Sequence, residues 1–298
     1  MEYMECHLLP YKRKNVLTAQ AFAQKVGWGI DLFKISATWK VTQGEDVTIA
    51  VLDTGCDLTH EDLVNNLLPG YNCLNPKEPP IDDGEHGSHC CGIICATDNG
   101  RGIIGVAPKA KIRPVKVLDG DGNGEIRDVV RGIHWAIEQK VDFISMSLGT
   151  RKPIASLRRA IKKAVANGII VFVAAGNTGQ SEQLLYPANY PETISIGAIN
   201  KDLTRWDLST TGYDLDFMAP GVDIYSCVPK NGYAMLSGSS MAQPFVCGLA
   251  ALLLSYKKAG KTPLKLDTPD DYRAYFAKHT ISVTGNESVT TKFYQGYG

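Results

Sequence analysis

Three short segments carry side chains that could do chemistry together. Ala50-Val-Leu-Asp53-Thr-Gly55 puts an acid at the end of an apolar run, and His86-Gly-Ser-His89 puts imidazoles at the head of a run of small residues. Gly238-Ser-Ser240-Met-Ala-Gln-Pro244 puts a serine just before a helix, with Pro244 placed in its first turn. A serine hydroxyl is a poor nucleophile at neutral pH unless a base takes its proton. Imidazole titrates where it can take that proton and give it back. A buried carboxylate would fix the imidazole tautomer and stabilise the imidazolium. A fourth segment, Val173-Ala-Ala-Gly-Asn177-Thr-Gly179, offers a side-chain N–H between glycines, just past an apolar run. Asn177 and the backbone N–H of Ser240 could hold an oxyanion. Alone, Asp53 reads as a strand-end turn acid and His86 as a surface histidine. Together with Ser240 and Asn177 they read as a site for attack on a carbonyl.

Such a site needs a scaffold, and the periodicity supplies one. Val47–Leu52, Ile112–Leu118, Val141–Leu148 and Ile169–Ala174 are apolar runs of strand length. Between them, Ile126, Val129, Val130, Ile133 and Ile137 share one helical face, and Leu157, Ala160, Ile161, Ala164 and Val165 share another. Gly248–Tyr256 reads as a buried helix, and Thr268-Pro-Asp-Asp271 as a capped helix start. Strand and helix in alternation predict an α/β fold of three layers: a mostly parallel central sheet with helices on both faces. Such sheets collect functional groups at the carboxyl ends of strands, where Asp53 falls.

The chain has 298 residues, with Lys+Arg and Asp+Glu both at 31. A balanced charge gives no reason to expect nucleic acid or an anionic membrane as a partner. No run of about 18 consecutive apolar residues appears, so no membrane span is expected. At the N-terminus the basic cluster Lys12-Arg13-Lys14 follows the short apolar run Leu8-Leu9, the wrong order for a secretory signal, and a cytoplasmic location is expected. The eight cysteines are then expected as reduced thiols. Residues 1–22 do not continue the αβ rhythm and are set apart from 23–298 as an extension, with the basic cluster read as a solvated run.

From about residue 23 to the end, the sequence resembles the subtilisin family. Asp53-Thr-Gly, His86-Gly-Ser-His and Gly238-Ser-Ser240-Met-Ala resemble its three signatures, in its order, and Asn177 resembles its oxyanion asparagine. The resemblance implies a serine endopeptidase acting on peptides and proteins, with the substrate bound as an added strand. The implied edges are Asn123-Gly124 and Ser147-Leu148-Gly149, with Ile126 and Val129 at an apolar pocket. Ala174, Thr178 and Leu185 would line the pocket for the residue before the cut, which without an acid implies an apolar preference. A structural calcium ion is implied at Gln24, Asp62, Thr97, Asn99, Arg101 and Ile103. Leu8-Leu-Pro-Tyr11 is similar to a motif of the intracellular subgroup, in which a short N-terminal segment lies across the active site. Residues 1–22 are therefore expected to be an intramolecular inhibitor, with a cut near Phe22-Ala23. The chain departs from the family at Phe245, which replaces a common histidine, and at Cys90 and Cys91. It also ends about where family members continue into a last helix, which puts a C-terminal dimer element in doubt, although a homodimer stays a candidate assembly.

Rival readings are weaker. His86, His89, Cys90, Cys91 and Cys95 fit no standard zinc spacing. Asp119-Gly-Asp-Gly-Asn123-Gly124 matches half of an EF-hand loop, but the twelfth position is Val130 instead of Glu. His89 reads as packing. A maturation or leader peptidase acting on one precursor, or an acyl-transferring relative, is the alternative function; a non-catalytic binding module is the third.

Overall fold

The computed structural model describes residues 4–17, 23–179, 183–282 and 292–294. Two strands belong to the N-terminal extension, β1 (Glu5–Leu8) and β2 (Lys12–Leu17). There follow β3 (Lys25–Val26), α1 (Trp28–Leu32), β4 (Thr48–Asp53), β5 (Tyr71–Asn72), α2 (His86–Cys95), β6 (Ile103–Ile104), β7 (Lys111–Lys116) and β8 (Asn123–Glu125). The middle of the chain forms α3 (Ile126–Glu138), β9 (Phe143–Met146), β10 (Leu148–Gly149), α4 (Ala155–Ala166), β11 (Ile170–Ala174) and β12 (Ile194–Ile199). Last come β13 (Phe217–Pro220), β14 (Ile224–Val228), β15 (Gly232–Ser237), α5 (Ser239–Lys258), α6 (Pro269–Lys278), β16 (Thr280–Ser282) and β17 (Lys292–Tyr294).

The central sheet runs β16-β17-β13-β12-β11-β9-β4-β7-β5, and every pair from β13 to β5 is parallel. Its strands alternate between two apolar layers, as the two-residue period of a strand demands. Ile49 and Val51 of β4 join the layer under α2, α5 and α6, while Ala50 and Leu52 join the layer under α3 and α4. Strands buried on both faces read as continuous apolar runs, which is why they were visible in the sequence. The helical faces of α3 and α4 pack as their spacing predicts, through Ile126, Val129, Ile133, Leu157, Ile161 and Ala164. Helix α6 opens with a capping box between Thr268 and Asp271.

Three details differ from expectation. The run Val141–Leu148 is not one strand: β9 ends at Met146, and β10 leaves the central sheet to pair with β1. Ser240 lies inside the first turn of α5, and Pro244 lies beyond that turn. A proline there deprives the carbonyl four residues back of its usual partner. That carbonyl is Ser240's, and it accepts instead from the Cys90 thiol at 3.4 Å and the Ser147 hydroxyl at 3.4 Å. Finally, α5 is long and apolar enough to cross a membrane by length and composition, but every residue of it from Ser239 to Ser255 is buried, as the central helix of the core.

Candidate active site

Strand β4 delivers Asp53 at its carboxyl end, and α2 delivers His86 at its first residue. The two elements meet closely because two glycines face each other. A Cβ on Gly87 would lie 2.1 Å from the Gly55 carbonyl oxygen, so no other residue fits there. Asp53 and His86 are each 1% exposed and Ser240 is fully buried. His86 Nδ1 lies 2.8 and 3.0 Å from the two Asp53 oxygens. A carboxylate only accepts, so Nδ1 carries the proton and Nε2 presents a lone pair. Asp53 also accepts from the Thr54 N–H at 2.8 Å.

His86 Nε2 and Ser240 Oγ are buried polar atoms without a hydrogen-bond partner among the described residues. Buried polar atoms are rarely left so, and a pair of them marks a place where a substrate is handled. Cys90 ties the two residues to one spot: its sulfur is 3.7 Å from His86 Nδ1 and 3.4 Å from the Ser240 carbonyl oxygen. Burial, and then the Asp53 charge, push this thiol well above its ordinary value, so Cys90 acts as a neutral donor.

Asn177 follows β11. Its side-chain oxygen accepts from the Ser239 N–H at 2.9 Å, which fixes the amide and points its Nδ2 the other way. That Nδ2 donates to the carbonyl oxygen of Pro10 at 2.8 Å. A peptide carbonyl of the extension thus sits on the donor beside Ser240. The described residues of the extension are bound on both sides of this point. Strand β1 lies between β8 and β10, with Cys6 opposite Gly124, His7 opposite Asn123 and Gly149, and Leu8 opposite Leu148. The Leu9 N–H donates to the Ser147 carbonyl at 3.4 Å, and the Leu9 side chain reaches Gly149 beside Leu185. Cys6 is fully buried with Ile126 and Val129. At Gly122 (φ +81°) a Cβ would lie 2.7 Å from that of Leu8. The loop's glycines thus answer to close approaches, Gly122 to Leu8, Gly120 to the Asp83 carbonyl and Gly124 to the Val117 carbonyl, and Asp119 spends its carboxylate on the N–H groups of Asp121 and Asn123. Ala174 is buried at the end of β11, and the exposed Thr178 bonds to Thr210. On the far side, β2 pairs antiparallel with β15 from Lys12 opposite Ser237 onward.

Not every neighbour in the sequence joins this site. His89 turns away and donates through Nε2 to the carbonyls of Ile224 and Ala234, at 3.0 and 3.2 Å. Burial, and then the charge of His86, hold its pKa down at about 3. A base whose folded pKa lies below its unfolded value stabilises the fold above the unfolded value, and that contribution is lost as the pH falls from about 6.5 towards about 3. Urea midpoints taken between pH 7.5 and 5 should therefore drop, at up to about 1.4 kcal/mol per pH unit for this residue. The variant His89→Gln should flatten the slope, and an unchanged slope would refute the assignment.

The eight cysteines are all free and buried. The implied calcium residues lie where β3 pairs with β6. Gln24 Nε2 reaches the carbonyls of Thr97 at 3.0 Å and Ile103 at 3.3 Å, and Asn99 Nδ2 reaches Asp62 at 2.8 Å. Arg101 sends its guanidinium to Glu61, so only its backbone carbonyl can face this cluster. The basic cluster Lys12-Arg13-Lys14 is not a bare solvated run: Arg13 pairs with Glu85 at 3.1 Å and Lys14 with Asp223 at 2.6 Å. Glu85, Asp223 and Trp206 went unnoticed in the sequence because they come from three separated segments with no shared spacing.

Residues 44–298 match the subtilase family. The chain belongs to it. This subtilase is 41% identical over 284 residues, 92% of its own length and 85% of the other, to an intracellular serine protease of Paenibacillus polymyxa. It is 40% identical over 265 residues, covering 85% and 82%, to the major intracellular serine protease of Bacillus subtilis (strain 168). Against subtilisin E of the same strain it is 43% identical over 242 residues, covering 80% and 63%. The α/β architecture is that of the family, and the chain is a subtilisin-type serine endopeptidase that hydrolyses peptide bonds.

Proposed function

We propose that this subtilase is a cytoplasmic endopeptidase of protein turnover, built as a zymogen, with Asp53, His86 and Ser240 as its catalytic triad. The observation that carries the reading is the hydrogen bond from Asn177 Nδ2 to a peptide carbonyl of the extension. Ser240 Oγ attacks the scissile carbonyl carbon and passes its proton to His86 Nε2. Asn177 Nδ2 and the Ser240 N–H hold the oxyanion. Collapse breaks the C–N bond, His86 gives its proton to the leaving amine, and water then cleaves the acyl-enzyme by the same route. Asp53 keeps the Nδ1 proton in place throughout. Leu9, held at Gly149 and Leu185, supports an apolar residue before the cut.

Residues 1–22 act as the inhibitor, and 23–298 as the peptidase domain. The extension resists cleavage by a slip of one residue. Through its N–H and side chain, Leu9 occupies the position before the cut, yet the carbonyl on Asn177 is that of Pro10. The bond that should be cut, Leu9–Pro10, is therefore off the donor, and its nitrogen belongs to a proline ring. The cut expected near Phe22-Ala23 borders residues 18–22, which lie outside the described residues. A cytoplasmic location accords with the names of the two intracellular relatives and with the buried free thiols.

The cluster at β3 and β6 fits a calcium ion. Thr97 and Ile103 aim two carbonyls at Gln24, and Asp62 and Asn99 lie beside them. A carboxamide turned by 180° exchanges N for O, so Gln24 and Asn99 can offer oxygen to a hard cation along with Asp62 and the backbone oxygens of Thr97, Arg101 and Ile103. The ion would tie the start of the peptidase domain to the loop after α2.

One experiment tests these readings together. The purified chain is incubated with and without EDTA, and its mass and its digestion of a mixed peptide library are followed. Without EDTA the mass should fall by about the first 20 residues as hydrolysis rises, with many cut sites after apolar residues; a single cleaved sequence would favour a maturation peptidase instead. With EDTA the melting temperature should drop, since an ion at about a hundred times its Kd contributes about 2.7 kcal/mol. Full activity with an intact N-terminus would sink the zymogen reading.

A further inference from the structure

The extension is a ligand that shows how the enzyme surface holds a chain beyond the cut. Counting from the carbonyl on Asn177, Tyr11 is the first residue on the leaving-group side and Lys12, Arg13 and Lys14 are the second to fourth. Alternate residues of a strand share a face. Tyr11 and Arg13 both reach Glu85, through the Tyr11 hydroxyl at 3.1 Å and the Arg13 guanidinium at 3.1 Å. On the other face, Lys12 lies 6.0 Å from the centre of the Trp206 ring and Lys14 pairs with Asp223. The side chains of Glu85 and Asp223 are 16% and 39% exposed, so the chain partly shields both carboxylates from water.

Among the described residues, the Glu85 carboxylate has no partner outside the extension, and Asp223 has only the Ser237 hydroxyl. Removal of the extension leaves two carboxylates and an indole face beside β15, with no cation paired to either carboxylate among the described residues. The geometry points to a specificity: this peptidase selects substrates with lysine or arginine at the second to fourth positions after the cut, read by Glu85, Asp223 and Trp206. The inference rests on the endopeptidase reading above and adds the class of leaving peptide.

The test uses the full chain after it has been incubated alone until its mass is constant. Two internally quenched peptides share an apolar residue before the cut and tyrosine after it; one continues Lys-Arg-Lys and the other Glu-Gln-Glu. A p-nitroanilide of the same acyl half has no residue beyond the cut. Each exposed ion pair is worth up to about five-fold, and the acidic peptide adds repulsion. The basic peptide should therefore be favoured about ten-fold or more in kcat/KM at about 20 mM salt, and much less at about 0.5 M. The double variant Glu85→Gln/Asp223→Asn should bring that ratio within about two-fold, and Asp223→Asn alone should move it the same way. Asparagine suits position 223, where φ is +53°. The anilide rate shows that each variant folds. Equal peptide rates with the anilide still cleaved, or a ratio unmoved in the double variant, would overturn the inference alone. No turnover of any of the three would overturn the endopeptidase reading and this inference with it.

Discussion

Replacing Ser240 by alanine should lower kcat about a million-fold, a magnitude carried over from the same change in subtilisin itself. The geometry explains why so little is left. Among the described residues, Ser240 Oγ and His86 Nε2 are the hydroxyl and the base of the site left without a partner. Loss of either should therefore disable the same step, and Ser240→Ala/His86→Ala should be no slower than Ser240→Ala alone. The fold should survive, since the hydroxyl makes no hydrogen bond that the alanine would forfeit. The measurement is single-substrate kinetics with a thermal melt as control, and activity within a hundred-fold of the parent would refute the assignment. A fluorophosphonate probe should label the parent and not the variant.

Asn177→Leu should cost about a hundred- to a thousand-fold in kcat with KM almost unmoved, again by analogy with the corresponding subtilisin residue. The donor acts on charge that exists only in the transition state, so the loss falls on kcat. This variant carries a second expectation from the present geometry. Asn177 Nδ2 also holds the Pro10 carbonyl, so the same change should loosen the extension. An unrelated protease added in trace amount should cut within residues 5–17 faster in Asn177→Leu than in Ser240→Ala. A rise in KM alone, or an extension as resistant as before, would count against a shared role.

What the sequence revealed was local. Asp53, His86, Ser240 and Asn177 each stand in a segment of a few residues whose neighbours explain the backbone around them. The buried strands and the faces of α3 and α4 were legible because burial on one or two sides leaves a period. The break after Met146 was not, because beyond Asp142 the run Phe143–Leu148 is apolar except for its two serines. What ends β9 lies far away in sequence: Ser147 turns its hydroxyl to Gln243 and to the carbonyl that Pro244 leaves unpaired. Lys12-Arg13-Lys14 looked like a solvated run because its partners, Glu85, Asp223 and Trp206, share no spacing with it or with one another. Cys6 gave no sign that it would be buried in an enzyme pocket.

The strands β8, β10 and β15 have a consequence for the molecule in a crowded solution. Each donates one side of its backbone to the extension. When the extension leaves, these become open sheet edges, which invite any extended chain to pair, including another copy of the enzyme. The extension thus caps these edges, a role separate from the inhibition proposed for it. The enzyme without it is expected to stay dispersed best when peptide is plentiful, and to self-associate or digest itself as substrate runs out.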